Sequence, residues 1–226
     1  IQKQQKDFPG NPKPKTVALK EGARVRIGPF ESETVHELHS IPDALGIAVR
    51  TPAGSILNTG DWRLDPDPVH DRQTDLESLK NIGKRGVTAF FGESTGADKP
   101  GSGISERTVL QNLDTVFRES RGRIFVSLNS SMLNRLQQLM GLAGKHGRNV
   151  VVEGFSMRTN IEIARELGYI DVLKGLVVTA EESNRLPPHK VLVLCTGAQA
   201  EEGSVLMRII SREHRSLAIE PGDTVI

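Results

Sequence analysis

Residues 123–153, RIFVSLNSSMLNRLQQLMGLAGKHGRNVVVE, decide the fold. They open on Arg123–Leu128, an apolar run too short for a helix and rich in Ile, Phe and Val, which predicts a buried strand. A helix over about 131–145 follows, with Leu133, Leu136, Met140 and Ala143 on one face and Gly147 placed to end it. Asn149–Glu153 is again a strand. Two strands joined by a helix of this length form a crossover, and crossovers build parallel sheets covered by helices.

The pattern extends on both sides. Downstream, a helix over 157–167 turns Ile161, Ala164 and Leu167 inward and stops at Gly168, a strand spans 190–195, and a helix lies around 204–211. Upstream, Ser105 is an N-cap for a helix whose Val109, Leu110, Leu113, Val116 and Phe117 share a face. Three β-loop-α units are therefore expected in the second part of the chain. Before residue 98 the character differs: short strands are predicted at 16–19, 24–27, 33–38, 46–50 and 55–58, and Pro52-Ala53-Gly54 signals a hairpin. Residues 1–15 carry four lysines among Gln, Pro, Gly and Asn with nothing periodic to bury, and are expected to form an extended arm or connector.

At 226 residues and 37% hydrophobic, the chain can bury one sizeable core or two smaller ones, which excludes a disordered or fibrous protein. A formal charge of +1 from 29 basic and 28 acidic side chains means that any nucleic-acid site is a local patch. The lone Cys195 excludes an internal disulfide framework and fits a cytoplasmic protein; it closes an apolar run and is expected in the core. No apolar stretch is long enough to span a bilayer, so no membrane partner is expected.

Chemistry concentrates in loops at strand ends. Ser127-Leu-Asn-Ser130-Ser131, Gly154-Phe-Ser156 and Thr196-Gly197-Ala-Gln199 are small and hydroxyl-rich, at the edge where α/β sheets bind ligands. Backbone N–H groups there favour phosphate, although Ser and Gly also serve simply as caps and corners. Two further loops, His39-Ser-Ile-Pro-Asp43 and Asn58-Thr-Gly-Asp61-Trp62, each end a predicted strand and offer an imidazole and a carboxylate. These are metal-ligand types, but a divalent ion needs at least three protein ligands and an open position, so they are half of a site. His36 sits on the opposite side of its strand from His39, and His70, His146, His189 and His214 lack ligand-like company.

In order and spacing, His39-Ser-Ile-Pro-Asp-Ala-Leu-Gly46, Asn58-Thr-Gly-Asp61 with Leu64-Asp-Pro66, and Glu93-Ser-Thr-Gly-Ala97 resemble motifs of the ribonuclease J family, metallo-β-lactamase nucleases with an inserted β-CASP domain. The likeness continues through Ser105-Glu-Arg107, Asn134-Arg-Leu-Gln-Gln138, Leu194-Cys-Thr-Gly197 and Glu220-Pro-Gly-Asp-Thr-Val-Ile226. It implies an α/β protein in which residues 1–98 are the later part of an αββα metallo-β-lactamase module and 99–226 a β-CASP domain with a mainly parallel sheet, the chain being an internal fragment. It implies two zinc ions in the intact parent, with His39 and bridging Asp61 as metal ligands, Asp61 and Glu93 in catalysis, and the His-x-His-x-Asp-His run outside this sequence. It implies single-stranded RNA as substrate, bound by Ser130, Ser131, Asn134, Arg135, Ser156, Arg158 and Gly197, cut internally or from the 5′ end, with a homo-oligomer as the parent's expected assembly.

Three matched positions depart from the family pattern. Asn134 stands where a β-CASP His is usual and can be neither a general acid nor an imidazolium. Gly197-Ala-Gln-Ala-Glu-Glu202 replaces a pattern nearer Gly-Ser-Gln-Gly-Glu-Pro, and Phe155 replaces a basic residue. Two rival classes therefore stand beside the nuclease: a catalytically inactive RNA- or partner-binding domain, and a β-CASP nuclease acting on DNA or on messenger RNA 3′ ends.

Overall fold

A computed structural model describes Gly10 and residues 16–226; the expected arm, at 1–15, otherwise lies outside the described residues. The chain builds two five-stranded sheets. In the first, β1 (Arg24–Ile27), β2 (Phe30–His36), β3 (Leu45–Thr51) and β4 (Gly54–Asn58) form an antiparallel meander, and α1 (Leu76–Lys84) crosses to β5 (Ala89–Phe91), which lies parallel to β4. The expected hairpin turns at Pro52-Ala53, with Thr51 paired to Gly54. Gly54 has φ +144°, and a Cβ there would strike the Thr88 side chain, so both torsion and space demand glycine.

The strand expected at 16–19 is absent. Thr16–Leu19 finds no neighbouring strand, Val17 is 67% exposed, and the chain is tied down beyond it, through Lys20 O and Ala23 N on the Thr34 hydroxyl. Alternation alone does not make a strand without a partner to pair with. α1 went unpredicted although Leu76, Leu79 and Ile82 have helical spacing; Asp75 caps it, accepting from Ser78 N at 3.0 Å. It lies on one face of the first sheet, where Val35, Leu57 and Ile82 form a small core with Ala48, Leu79 and Val87. The pleat sends Val25, Ile27, Ile47, Val49 and Ile56 to the other face, and Ile27, Ile56, Phe30 and Phe91 are exposed.

The second sheet is wholly parallel, with β6 (Ile124–Ser127), β7 (Asn149–Glu153), β8 (Val177–Val178), β9 (Val191–Cys195) and β10 (Thr224–Val225) in the order β10-β6-β9-β7-β8. Each of the three expected β-loop-α units is present. One face packs against α2 (Glu106–Glu119), α3 (Leu133–Lys145) and α4 (Phe155–Glu166), burying Phe117, Leu136, Leu139, Met140 and Met157 against Ile124, Val126, Leu192 and Leu194. The other carries α5 (Ala180–Ser183) and α6 (Val205–Ile210) over Phe125, Val151, Val193 and Cys195. Central β9 is buried on both sides, which is why VLVLC reads as an unbroken apolar run. Cys195 is in the core as expected, and burial pushes its thiol up to about 11. Helix α3 starts two residues later than expected, because Met132 rather than a capping serine occupies its N-cap. Among the described residues no helix is long and apolar enough to cross a membrane.

Arg148, immediately before β7, gathers this sheet at the amino ends of its strands. It is 3% exposed, and its guanidinium donates to the carbonyls of Gly122 (2.9 Å), Val191 (3.2 Å), Ser120 (2.7 Å) and Phe117 (3.4 Å). The last two are orphan carbonyls at the end of α2, where a cation also meets the negative end of the helix. Arg148→Met is therefore expected to leave four carbonyls short of a donor and to cost about 3 kcal/mol or more. Arg148→Lys, with three donors and no planar fork, should recover only part of that in urea unfolding of both variants.

Candidate functional site

The His39 and Asp61 loops leave β2 and β4, the strands on either side of β3, at the same end of the first sheet, and the chain at their bases is bonded together. Arg63 N donates to Leu38 O (2.9 Å), while the Thr74 hydroxyl accepts from Leu38 N (2.9 Å) and donates to Arg63 O (3.1 Å). The Asp61 turn is local chemistry: Asn58 Oδ1 accepts from Gly60 N (2.7 Å), and Gly60 takes the left-handed φ of +61°. Glu93, two residues beyond β5, accepts from Trp62 N at 2.9 Å, so its carboxylate lies against the residue after Asp61. The Thr95 hydroxyl, that N–H and the nearby His39 imidazole hold Glu93 below the usual carboxylate range. His39, the Asp61 turn and Glu93 thus lie together at one end of the first sheet.

Behind it lies a carboxylate that sequence reasoning missed. Glu37 is 0% exposed, and the Thr74 hydroxyl beside it is committed elsewhere, so among the described residues neither Glu37 oxygen has a hydrogen-bond partner. A Cβ at Gly46 would come within 2.6 Å of Glu37 Oε1, which makes glycine at 46 the space that this side chain occupies. Burial, with the charge of Asp75 nearby, pushes the Glu37 carboxyl up to about 7. Its signal in the sequence was a charged residue inside an otherwise apolar strand end, Val35-His-Glu-Leu38.

An ion-pair network fastens this cluster to the second sheet's helices. Asp65 and Glu106, both buried, face Arg63 and Arg135: Arg63 Nη2 reaches Asp65 Oδ2 (2.6 Å) and its Nη1 reaches Glu106 Oε2 (3.2 Å), while Arg135 Nε donates to Glu106 Oε1 (2.8 Å). Asp65 Oδ2 also accepts from Glu106 N at the start of α2 (2.8 Å). Around the network closes a small cavity of ≈ 20 Å³ lined by His39, Ser40, Met132, Asn134 and Arg135. Next to it, Ile41, Pro42, Ser131, Leu133, Asn160 and Tyr169 line a groove of ≈ 220 Å³, and the Tyr169 hydroxyl donates to Asp43.

The sequence-derived RNA contacts divide accordingly. Asn134 and Arg135 share the cavity with His39, and Ser131 lines the adjoining groove, where Asn160 Nδ2 donates to Ser130 O (2.9 Å) and to its hydroxyl (3.1 Å). Arg135 spends its Nε and Nη2 on Glu106. Arg158 turns to Glu153 (3.2 Å) and Val152 O (3.2 Å) and lines a different cleft with Glu162 and Lys174. Ser156 lies on α4, and Gly197, with φ +117° and the Ser204 hydroxyl where a Cβ would sit, shapes the turn after β9.

His39 and Asp61 supply a nitrogen and an oxygen donor of kinds that zinc accepts. Among the described residues no three His, Cys, Asp or Glu side chains converge to hold a metal ion. The chain's donors fit a share of such a site.

Known proteins align with this arrangement. A family model described as "Ribonuclease J, beta-CASP domain" matches residues 121–226. Curated relatives named Ribonuclease J match nearly the whole chain, from Thermus thermophilus (41% identity over 90% of this chain) and Helicobacter pylori (39% over 89%) to Corynebacterium glutamicum (36% over 95%). Most of the chain is therefore similar to ribonuclease J proteins, and residues 121–226 match that family's β-CASP domain. The chain spans about a third of those ribonuclease J relatives, covering 35%, 29% and 30% of their lengths. A crystal structure titled as a protein of unknown function from Enterococcus faecalis shares the fold, with a TM-score of 0.58 at 16% identity over 95% of this chain and 56% of its own.

The elevated Glu37 carboxyl has a pH signature. Its proton is bound more tightly in the folded chain than in the unfolded one, so its contribution to stability is fully present below about pH 4.5 and is lost as pH rises through about 7. Above that pH the buried charge costs on the order of 3 kcal/mol. Glu37→Gln, nearly the same shape without the charge, is expected to melt higher than the parent chain at pH 8 and to show no advantage at pH 4. An equal shift at both pH values would show that burial does not perturb Glu37.

Proposed function

We propose that this chain is the central part of a zinc-dependent, cytoplasmic ribonuclease of RNA processing and decay, cutting single-stranded RNA internally or from its 5′ end. On this reading residues up to 98 are the later half of a metallo-β-lactamase module and 99–226 its β-CASP domain. The observation that carries it is the hydrogen bond from Trp62 N to Glu93 Oε2, which gathers Glu93, the Asp61 turn and His39 at one strand edge facing Asn134 and Ser131. The exposed apolar face of the first sheet supports it too, because an αββα module packs a second sheet there.

His39 and Asp61 would hold the metal. A bound metal pair supplies Lewis acidity toward the scissile phosphate and a water nucleophile near neutral pH. The chain's own groups do the remaining work. Glu93, ionised at neutral pH because its hydrogen bonds favour the charged form, orients a ligand or water from behind. Asn134 can hydrogen-bond a phosphate oxygen but cannot deliver a proton, and the groove beside it offers Ser131 to a strand of RNA. Asn134 is also what favours a second reading, a catalytically inactive RNA-binding domain.

Both readings can be separated with the 226-residue chain. It is expected to bind RNA, to cleave 5′-monophosphorylated RNA slowly or not at all, and to lose whatever zinc it binds on Asp61→Ala, measured by equilibrium dialysis and gel assay. Metal-dependent cleavage that Asp61→Ala abolishes overturns the inactive reading. Zinc binding that survives Asp61→Ala overturns the metal assignment.

A further inference from the structure

We propose that a recess on the α1 side of the first sheet is a second contact surface for single-stranded RNA, holding its phosphates with Arg24, Arg26, Arg50 and Arg85. This rests on the reading that RNA is the ligand. The recess, of ≈ 260 Å³, lies where α1 ends before covering the sheet, and its remaining charged lining is Glu31 and Glu33.

Strand register builds it. Arg26, Glu31 and Arg50 stand in one row across β1, β2 and β3, and Arg24, Glu33 and Ala48 in the next, so all six side chains point to the same face. Arg85, the C-cap of α1, reaches the second row from above. Glu33 is shared by two guanidiniums, Arg85 Nη2 at 2.6 Å and Arg24 Nη2 at 3.2 Å, while Glu31 meets Arg26 Nη1 at 3.7 Å. Arg50 has no acidic partner among the described residues. Ala48 and buried Ile82 lie between the charges.

Ion pairing across strands does not by itself explain this composition. A self-satisfied ladder sets one acid against each base, whereas here four guanidiniums meet two carboxylates, leaving +2 in one recess of a chain whose formal total is +1. Exposed pairs contribute little to stability, so the fold does not need the excess. Guanidinium forks suit phosphodiester oxygens, and the apolar patch between them accommodates a ribose or a base edge. The recess lies at the opposite end of β2 and β4 from the His39 and Asp61 loops, so a long strand can touch both places and a short one only one.

The test is fluorescence anisotropy of a labelled oligouridylate of about 20 nucleotides on the 226-residue chain across a salt series. Arg26→Glu combined with Arg50→Glu is expected to weaken binding about tenfold at low salt and to lower the slope of log K against log salt by roughly 1.4, two phosphate contacts at about 0.7 each. Arg50→Gln alone, which breaks no ion pair, should weaken binding less, in the same direction, and thermal melting verifies that each variant is folded. Normal RNA binding by the folded arginine variants, alongside weaker binding by Arg158→Gln or Ser131→Asp, overturns the recess and leaves the RNA reading standing. Absence of RNA binding by the parent chain overturns both. Displacement of the RNA by polyglutamate at matched charge, lost in the arginine variants, assigns the recess to an acidic protein segment and overturns this proposal.

Discussion

Glu106 is the constraint on which the arrangement depends. It is the first residue of α2, it is buried, and it divides its two oxygens between Arg63 from the first part of the chain and Arg135 from α3. Its backbone N–H is spent on Asp65, so charge and main chain converge on one position. The group is neutral in sum, two guanidiniums against two carboxylates, and such a buried network contributes more to geometric uniqueness than to net stability. Its geometric effect is plain. With Arg63 N also bonded to Leu38 O, the His39 loop, the Asp61 turn and the start of α3 are held in one relation, and Tyr169 to Asp43 and Arg107 to Asp67 tie the two parts at further points.

How much of this was legible in the sequence follows from the range of the forces involved. Strands and helices whose apolar period and caps are local were readable: Ser105 caps where expected, Gly147 and Gly168 stop helices with left-handed torsions, and the β6, β7 and β9 units fall within a residue or two of their predicted limits. Elements that exist only because a neighbour pairs with them were not. β8 and β10 are two residues each and are strands solely by virtue of β7 and β6. The same reason explains why Thr16–Leu19, with a strand-like sequence, is not one.

The candidate site divides in the same way. His39, Asp61 and Glu93 could be named because their residue types and motif order are written along the chain. Their support could not: Arg63 to Glu106, Arg135 to Glu106 and Tyr169 to Asp43 join residues 29 to 126 positions apart, and nothing in one sequence says which acid finds which base. Arg135 shows the cost. Its charge is legible in the sequence, and its bond to Glu106 is not. Glu37 was missed because its local mark is only a charge between His36 and Leu38, and the glycine at 46 that makes room for it lies on another strand.

The edges of the two sheets bear on how such a chain can aggregate. A foreign strand needs several consecutive free N–H and C=O groups to add itself, and the second sheet ends on either side in strands of two residues. The first sheet ends in a three-residue strand at one border and, at the other, in β1, where two of four residues are arginines. Templated strand addition therefore has almost nowhere to start.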